Sequence, residues 1–282
     1  MNPLLLISSL FWAAHIYAHS IDTTQYISVE KLVSQQTISA KFEGLGGHSG
    51  NCMKVIIENH SSDSAYVWIE GGRRLFSDDS SLQDIFLIKN TALAIAPLDS
   101  KSTPLYGFCC QAKNGGPGSK STFQVGKMAP PKWVELANFV EKYEFPTGAV
   151  QQAVWVLSDH HEISTVHHTE PEVIAPLKRK LAELLGMPVP WYSVIYAKDS
   201  ASVFSNRPEK IYGDMDFYIN TNAVVSAVVK NQYGENVSFP IRETSYDPGT
   251  YTFTFQQRLE GWEPGRYTKF IDKEYNLILK KK

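Results

Sequence analysis

The chain has 282 residues, 43% of them apolar and 20% charged, with a formal net charge of -2. That length and apolar content support one large packed domain or two smaller ones and exclude a disordered chain. So even a charge balance leaves no electrostatic footprint for nucleic acid, and Lys280-Lys-Lys282 reads as a solvated end rather than a basic arm.

The N-terminus reads as an export signal. Leu4 to Ala14 is an apolar run too short to span a bilayer, and Ile16-Tyr-Ala18 places a small residue before a plausible cut, so residues 1–18 are expected to be a signal peptide although they lack Lys and Arg. No later stretch is apolar and long enough for a membrane span. Cysteine usage agrees with export to an oxidising compartment, because Cys52, Cys109 and Cys110 allow one disulfide and leave one thiol over. Cys52 would pair with one of the two adjacent cysteines, Cys110 being the candidate.

In the mature chain, Ile38 to Phe42, Cys52 to Ile57, Ala65 to Ile69, Ile85 to Ile88, Ala92 to Ile95 and Pro104 to Cys110 carry alternating or β-branched runs separated by polar turns. The first third is therefore expected to be all-β, a sandwich or an open barrel. His48 and His60 fall in its turns as solvated residues. Lys113 to Lys120 is a glycine-rich loop. The period then changes: Trp133, Leu136, Ala137, Val140 and Tyr143 mark a helix after Pro130-Pro131, and a second helix contains Gly148 to Asp159. A third runs from Pro171 to Leu185, with Gly186 at its end. In the second helix Val150, Val154 and Leu157 share one face, while Gln151, Trp155 and Ser158 lie one residue around.

From Ile211 onward the chain returns to short strands, including Asp216 to Ile219, Val224 to Val229, Val237 to Phe239, Thr250 to Phe255 and Arg266 to Ile271, with turns at Asn231 to Gly234, Asp247 to Gly249 and Glu263 to Gly265. The expectation is an α+β chain with a β-rich domain over residues 19–203 carrying an inserted helical segment, and a second β-sandwich over residues 204–282. With Asn231-Gln-Tyr-Gly234 before a strand and Glu263-Pro-Gly-Arg-Tyr267 before the last pair, the C-terminal segment resembles the immunoglobulin-like modules named after the flagellar hook-capping protein. That resemblance implies an immunoglobulin-like sandwich.

Two short motifs carry a sharper resemblance. Phe108-Cys109, followed by Val150-Gln151-Gln152-Ala153-Val154-Trp155, is similar to the bacterial thioester domains of surface adhesins, where an aromatic residue precedes the cysteine and Thr-Gln-x-Ala-aliphatic-Trp surrounds the glutamine. Here Val150 stands in the threonine position, and Cys110 doubles the cysteine. The resemblance implies that Cys109 and Gln151 are the cross-linked pair, on a secreted or cell-surface protein that captures an amine-bearing protein or polymer. No cofactor is called for.

The chemistry is coherent from the residues as well. A thiolate attacking the Gln151 amide would expel ammonia and leave a thioester that a lysine amine opens. Amide nitrogen leaves poorly unless geometry enforces the attack and a donor protonates it; Tyr106, His160 or Ser158 are the candidates, with Trp155 shielding the bond from water. Two other classes stay open. One is a passive extracellular interaction module with a structural disulfide and a structural glutamine; the other is a Cys-His hydrolase with Cys109 as nucleophile and His160 or His161 as base. Adjacent histidines point apart, so His160-His161 and His167-His168 read as a solvated loop and no metal site is expected.

Overall fold

The computed structural model describes residues 25–197, 203–263, 265–270 and 274–279. The expected signal peptide and the lysine end lie outside these residues.

The N-terminal half is built around a closed six-stranded barrel, in the order β2 (Ile38–Leu45), β3 (Ser49–Asn59), β8 (Ser100–Cys109), β6 (Ile85–Leu87), β5 (Arg73–Ser77) and β9 (Ser119–Met128). Beside it lies a small sheet of β1 (Ile27–Ser28), β4 (Ala65–Ile69) and β7 (Thr91–Ile95), in the order β1-β4-β7. Inward positions repeat every second residue: Val55 and Ile57 on β3, Leu105 and Cys109 on β8, and Phe42, Leu75, Ile85 and Phe123 on their neighbours form one core. The expected first sheet is thus a closed barrel, which leaves no free edge.

Three features of this half depart from the reading of the sequence. Val29–Ser34 forms a short helix, α1. Ser119 and Lys120, expected in a loop, begin the long strand β9, which closes the barrel onto both β2 and β5. Arg73, preceded by two glycines, is buried beneath α1 and bonds the carboxylates of Glu70 and Glu30, each at 2.7 Å, and the Gly126 carbonyl at 2.7 Å. A guanidinium in that position is tolerable only because its charge and donors are met.

All three expected long helices are present: α2 (Pro131–Lys142), α3 (Thr147–Ser158) and α4 (Pro171–Leu185). Proline opens α2 and α4, and Gly186 ends α4 in the left-handed conformation at φ 66°. α3 packs against β3, β8, α2 and α4. It is buried on nearly every side, with Ala149, Val150, Gln151, Ala153, Val154, Trp155, Val156 and Leu157 all inside. Its apolar positions therefore extend beyond the single face predicted by Val150, Val154 and Leu157.

The C-terminal part consists of two sheets. One is β10 (Ser193–Tyr196), β11 (Pro208–Ile219) and β14 (Gly249–Arg258), in that order; the other is β13 (Asn236–Tyr246), β12 (Ala223–Lys230), β15 (Gly265–Phe270) and β16 (Glu274–Leu279). Val194, Ile211, Met215, Val229, Phe255, Leu259 and Tyr267 form its core. β10 precedes the boundary expected near residue 204, yet it pairs with β11.

Candidate functional site

The end of β8 meets the middle of α3. Strand alternation places Leu105 and Cys109 in the barrel core, and Phe108 and Cys110 in the core formed with the helices. Adjacent cysteines therefore serve different interiors. Cys52 lies in the barrel core with Cys109, at an irregularity of β3 between Gly50 and Met53 that turns both Cys52 and Met53 inward. Its thiol donates to the Gly107 carbonyl at 3.3 Å. Gly107 has to be bare: a Cβ there would stand 2.6 Å from Cγ2 of Ile85. All three cysteines are free and buried.

Gln151 reaches the strand from α3, and its Nε2 donates to the main-chain carbonyl of Cys109 at 2.8 Å. Its Oε1 is buried without a hydrogen-bond partner. The residue is 2% exposed, and an unmet buried acceptor costs about 1–3 kcal/mol. Gln152 Oε1 and Trp155 Nε1, on the same helix, are buried without a hydrogen-bond partner as well.

The strand end is fixed on both sides. The N–H of Cys109 donates to the His48 carbonyl at 3.0 Å, and the N–H of Cys110 to the Asp84 carbonyl at 3.0 Å. Gln111 and Asp84 bond one another, with the Asp84 N–H donating to Gln111 Oε1 at 2.9 Å, and the Ala112 N–H donates to Asp159 Oδ1 at 2.9 Å just past the end of α3. Strand and helix are thereby tied together around the Cys109–Gln151 contact. The start of α3 rests on the barrel too, with Cγ2 of Thr147 and the ring of Tyr106 beside Gly50, whose φ is 77°.

Electrostatics keep the thiols protonated. Burial pushes Cys52 up to about 11 and Cys110 up to about 12. Cys109 is raised further, by burial first and then by the proximity of Cys52 and Cys110. None of the three is a standing thiolate at neutral pH. Any attack by Cys109 must move its proton as the new bond forms.

The remaining expected site residues divide. Tyr106 stands near the start of α3, its hydroxyl 3.5 Å from Thr147 Oγ1 and its ring 4.7 Å from Lys89 Nζ. Trp155 is 2% exposed, one turn beyond Gln151, where it shields the helix interior. The Ser158 hydroxyl is engaged locally, with the Val154 carbonyl and Asp159 Oδ2. Ser158, the last residue of α3, is about 10 Å along the axis from Gln151, and His160 follows beyond it. His161 is a correction to the solvated-loop reading: it is 7% exposed, with its ring 4.3 Å from that of Phe204 and 6.0 Å from that of Trp155. No cluster of three His, Cys, Asp or Glu side chains suited to a metal occurs among the described residues.

No protein-family model matches this chain, and neither a curated protein nor a solved structure shows a significant match to it. The site's chemistry therefore rests on its own geometry.

What sequence reasoning missed is the frame: the His48 carbonyl, Asp84, Gln111, Asp159 and Gln83, whose Oε1 accepts from the Gln111 N–H at 3.1 Å. Gln111 carried the nearest signal, as a polar residue continuing directly from Phe108-Cys-Cys110 into the loop. Its role needs Asp84, 27 residues earlier, to be brought beside it.

Proposed function

We propose that this is a secreted or surface-attached adhesion protein whose Cys109 and Gln151 condense into an internal thioester that captures an amine-bearing protein or polymer. The observation that carries the reading is the lodging of a buried Gln151 amide, with one oxygen unmet, on the main chain of Cys109. In the condensation the Cys109 sulfur adds to Cδ of Gln151 and the C–N bond breaks. The thiol proton leaves with nitrogen as ammonia. An incoming amine then adds to the same carbon, the C–S bond breaks, and the thiol is restored. The reaction requires the Cys109 thiol to turn from the barrel core toward the amide that now meets its carbonyl. The dry surroundings of Trp155 would protect the product from water. In this reading the two C-terminal sheets form an immunoglobulin-like sandwich.

Intact mass tests the proposal. The mature protein is expected to weigh one ammonia less than its sequence after reduction, and methylamine should add at Gln151 and free one thiol. Cys109→Ala should abolish both effects and Cys110→Ala neither. Full mass after reduction with no amine uptake overturns the thioester.

A second reading has its own support. Cys52 and Cys109 share the barrel core, so a disulfide between these two, on a passive interaction module, fits the placement of the thiols better than a Cys52–Cys110 bridge. It predicts a loss of two hydrogens that reduction restores. A Cys-His hydrolase has less support, because burial holds the Cys109 thiol protonated and the His161 ring packs against Phe204 and Trp155.

A further inference from the structure

A cleft of about 530 Å³ lies between the β12–β13 turn and the β14–β15 connection, far in sequence from Cys109 and Gln151. Asn231 builds its first wall. The Asn231 side-chain oxygen accepts from the N–H groups of Tyr233 and Glu235, both at 3.0 Å, and its amide donates to Glu235 Oε2 at 2.7 Å. Gln232 lies across to the other wall, where Gly265 leaves room for its amide; a Cβ on Gly265 would stand 3.2 Å from Gln232 Oε1. The other wall is held by Tyr267, whose hydroxyl donates to the Glu263 carbonyl at 2.6 Å.

The lining has a definite chemistry. Tyr267 is buried and Trp262 half-buried, their ring centroids 4.7 Å apart, which gives the cleft an aromatic floor. Tyr233, 78% exposed, offers a third ring at the rim. Glu235, Glu260 and Glu263 are exposed around them, and the cleft has no cationic side chain among its described lining residues. Carboxylates only accept hydrogen bonds, and ring faces present negative charge. Both features select a cation with an apolar surface. A neutral sugar would call for more donors than Gln232, Tyr233 and Trp262 supply. A volume of about 530 Å³ lies within the range of small-molecule pockets and leaves room for the rest of a molecule that carries such a cation.

We propose that this cleft is a binding site for a compact organic ammonium group, such as a methylated amine or the end of a lysine side chain. The aromatic floor takes the apolar shell of the cation, and the glutamates set its charge. This site is independent of the thioester and stands or falls separately from it.

Calorimetric titration of the full chain with trimethyllysine amide tests the assignment, alongside the neutral analogue in which a tert-butyl group replaces the trimethylammonium. Saturable binding of the cation is expected, weakening with added salt, with no matching binding of the neutral analogue. Tyr233→Ala and the pair Glu260→Gln with Glu263→Gln should each weaken it by about tenfold, a change of the size that loss of a ring face or of its charge complement produces. Both changes lie at exposed positions, so a folded variant is available even if Trp262→Ala unfolds the module. Absence of saturable binding, equal binding of the neutral analogue, or full affinity in both variants would overturn the proposal. So would binding of a neutral oligosaccharide that shows the same dependence on Tyr233.

Discussion

Lys178 shows most directly what a single residue does to this fold. It projects from α4 into the interior, 8% exposed, and among the described residues its ammonium meets two neutral acceptors: the Tyr192 carbonyl at 3.2 Å and the Ser193 hydroxyl at 3.1 Å. Burial pulls it down to about 8 from an ordinary 10.5. Between those values the unfolded chain holds a proton that the folded chain has released, so stability from this group rises with pH across that window. Buried thiols work in the opposite sense, their contribution being complete below the ordinary thiol value near 9 and lost above it. Comparing wild type with Lys178→Met at each pH cancels the thiols. The stability of the wild type relative to this variant is expected to rise by on the order of 3 kcal/mol from neutral pH to pH 10.5, read by chemical denaturation. A flat difference would mean that the lysine is solvated.

Lys178 also marks where the sequence stops being informative. On α4 its neighbours Arg179 and Lys180 look the same in sequence, and Lys180 is bonded at the surface to Glu135 and Glu183. The spacing of Ile174, Leu177 and Leu181 puts Lys178 on the buried face of α4, and only the fold brings Tyr192 and Ser193 to its ammonium. Arg73 has the same character, since its partner Glu30 stands 43 residues away and on another element. Cys109 and Cys110 are the contrasting case: a strand running through Pro104 to Cys110 already obliges them to face opposite ways. The local period carried that information, and which interior each would enter depended on the barrel closing.

At the scale of elements, α3 is the member that joins barrel to helices. Its existence was readable from the run Gly148 to Asp159, and its ends agree with the structure to within a residue or so. Its burial on nearly every side was not, because that depends on α2, α4 and β8 arriving from three sides. Trp155 tests how much the helix contributes. Its ring lies 5.5 Å from that of Phe204 and 6.0 Å from that of His161, so one side chain couples α3 to the segment leading into β11. Trp155→Ala is expected to destabilise the protein by about 3 to 5 kcal/mol, as emptying a buried aromatic site does. A midpoint change within a few tenths of a kcal/mol would place this ring outside the cooperative core. The variant should also lose any ammonia deficit if the shielding of Gln151 depends on that packing.

The whole molecule raises the question of where one folding unit ends. The change of period after Tyr192 pointed to a boundary near residue 204, and the C-terminal strands do build a core of their own. That core begins earlier, however. Val194 lies within it, Trp191, Tyr192 and Tyr196 pack against it, and β10 continues the sheet of β11 and β14. A fragment of residues 204–282 would therefore expose one edge of β11 and remove four core or flanking side chains. A fragment of residues 190–282 keeps them and gives up contacts to the N-terminal half, such as the hydrogen bond from the Tyr212 hydroxyl to the His168 carbonyl, those from Lys178 to Tyr192 and Ser193, and the packing of Phe204 on Trp155 and His161. Burial argues that the longer piece folds alone and the shorter one does so weakly or not at all. Thermal or urea unfolding of the two fragments beside the full chain decides it: a single cooperative transition is expected for 190–282, with a much lower midpoint for 204–282. If the longer fragment shows no transition where the full chain does, the C-terminal sheets depend on the helices and the chain is one folding unit. Equal midpoints for both fragments would show that β10 adds nothing to the module, and would return the boundary to residue 204.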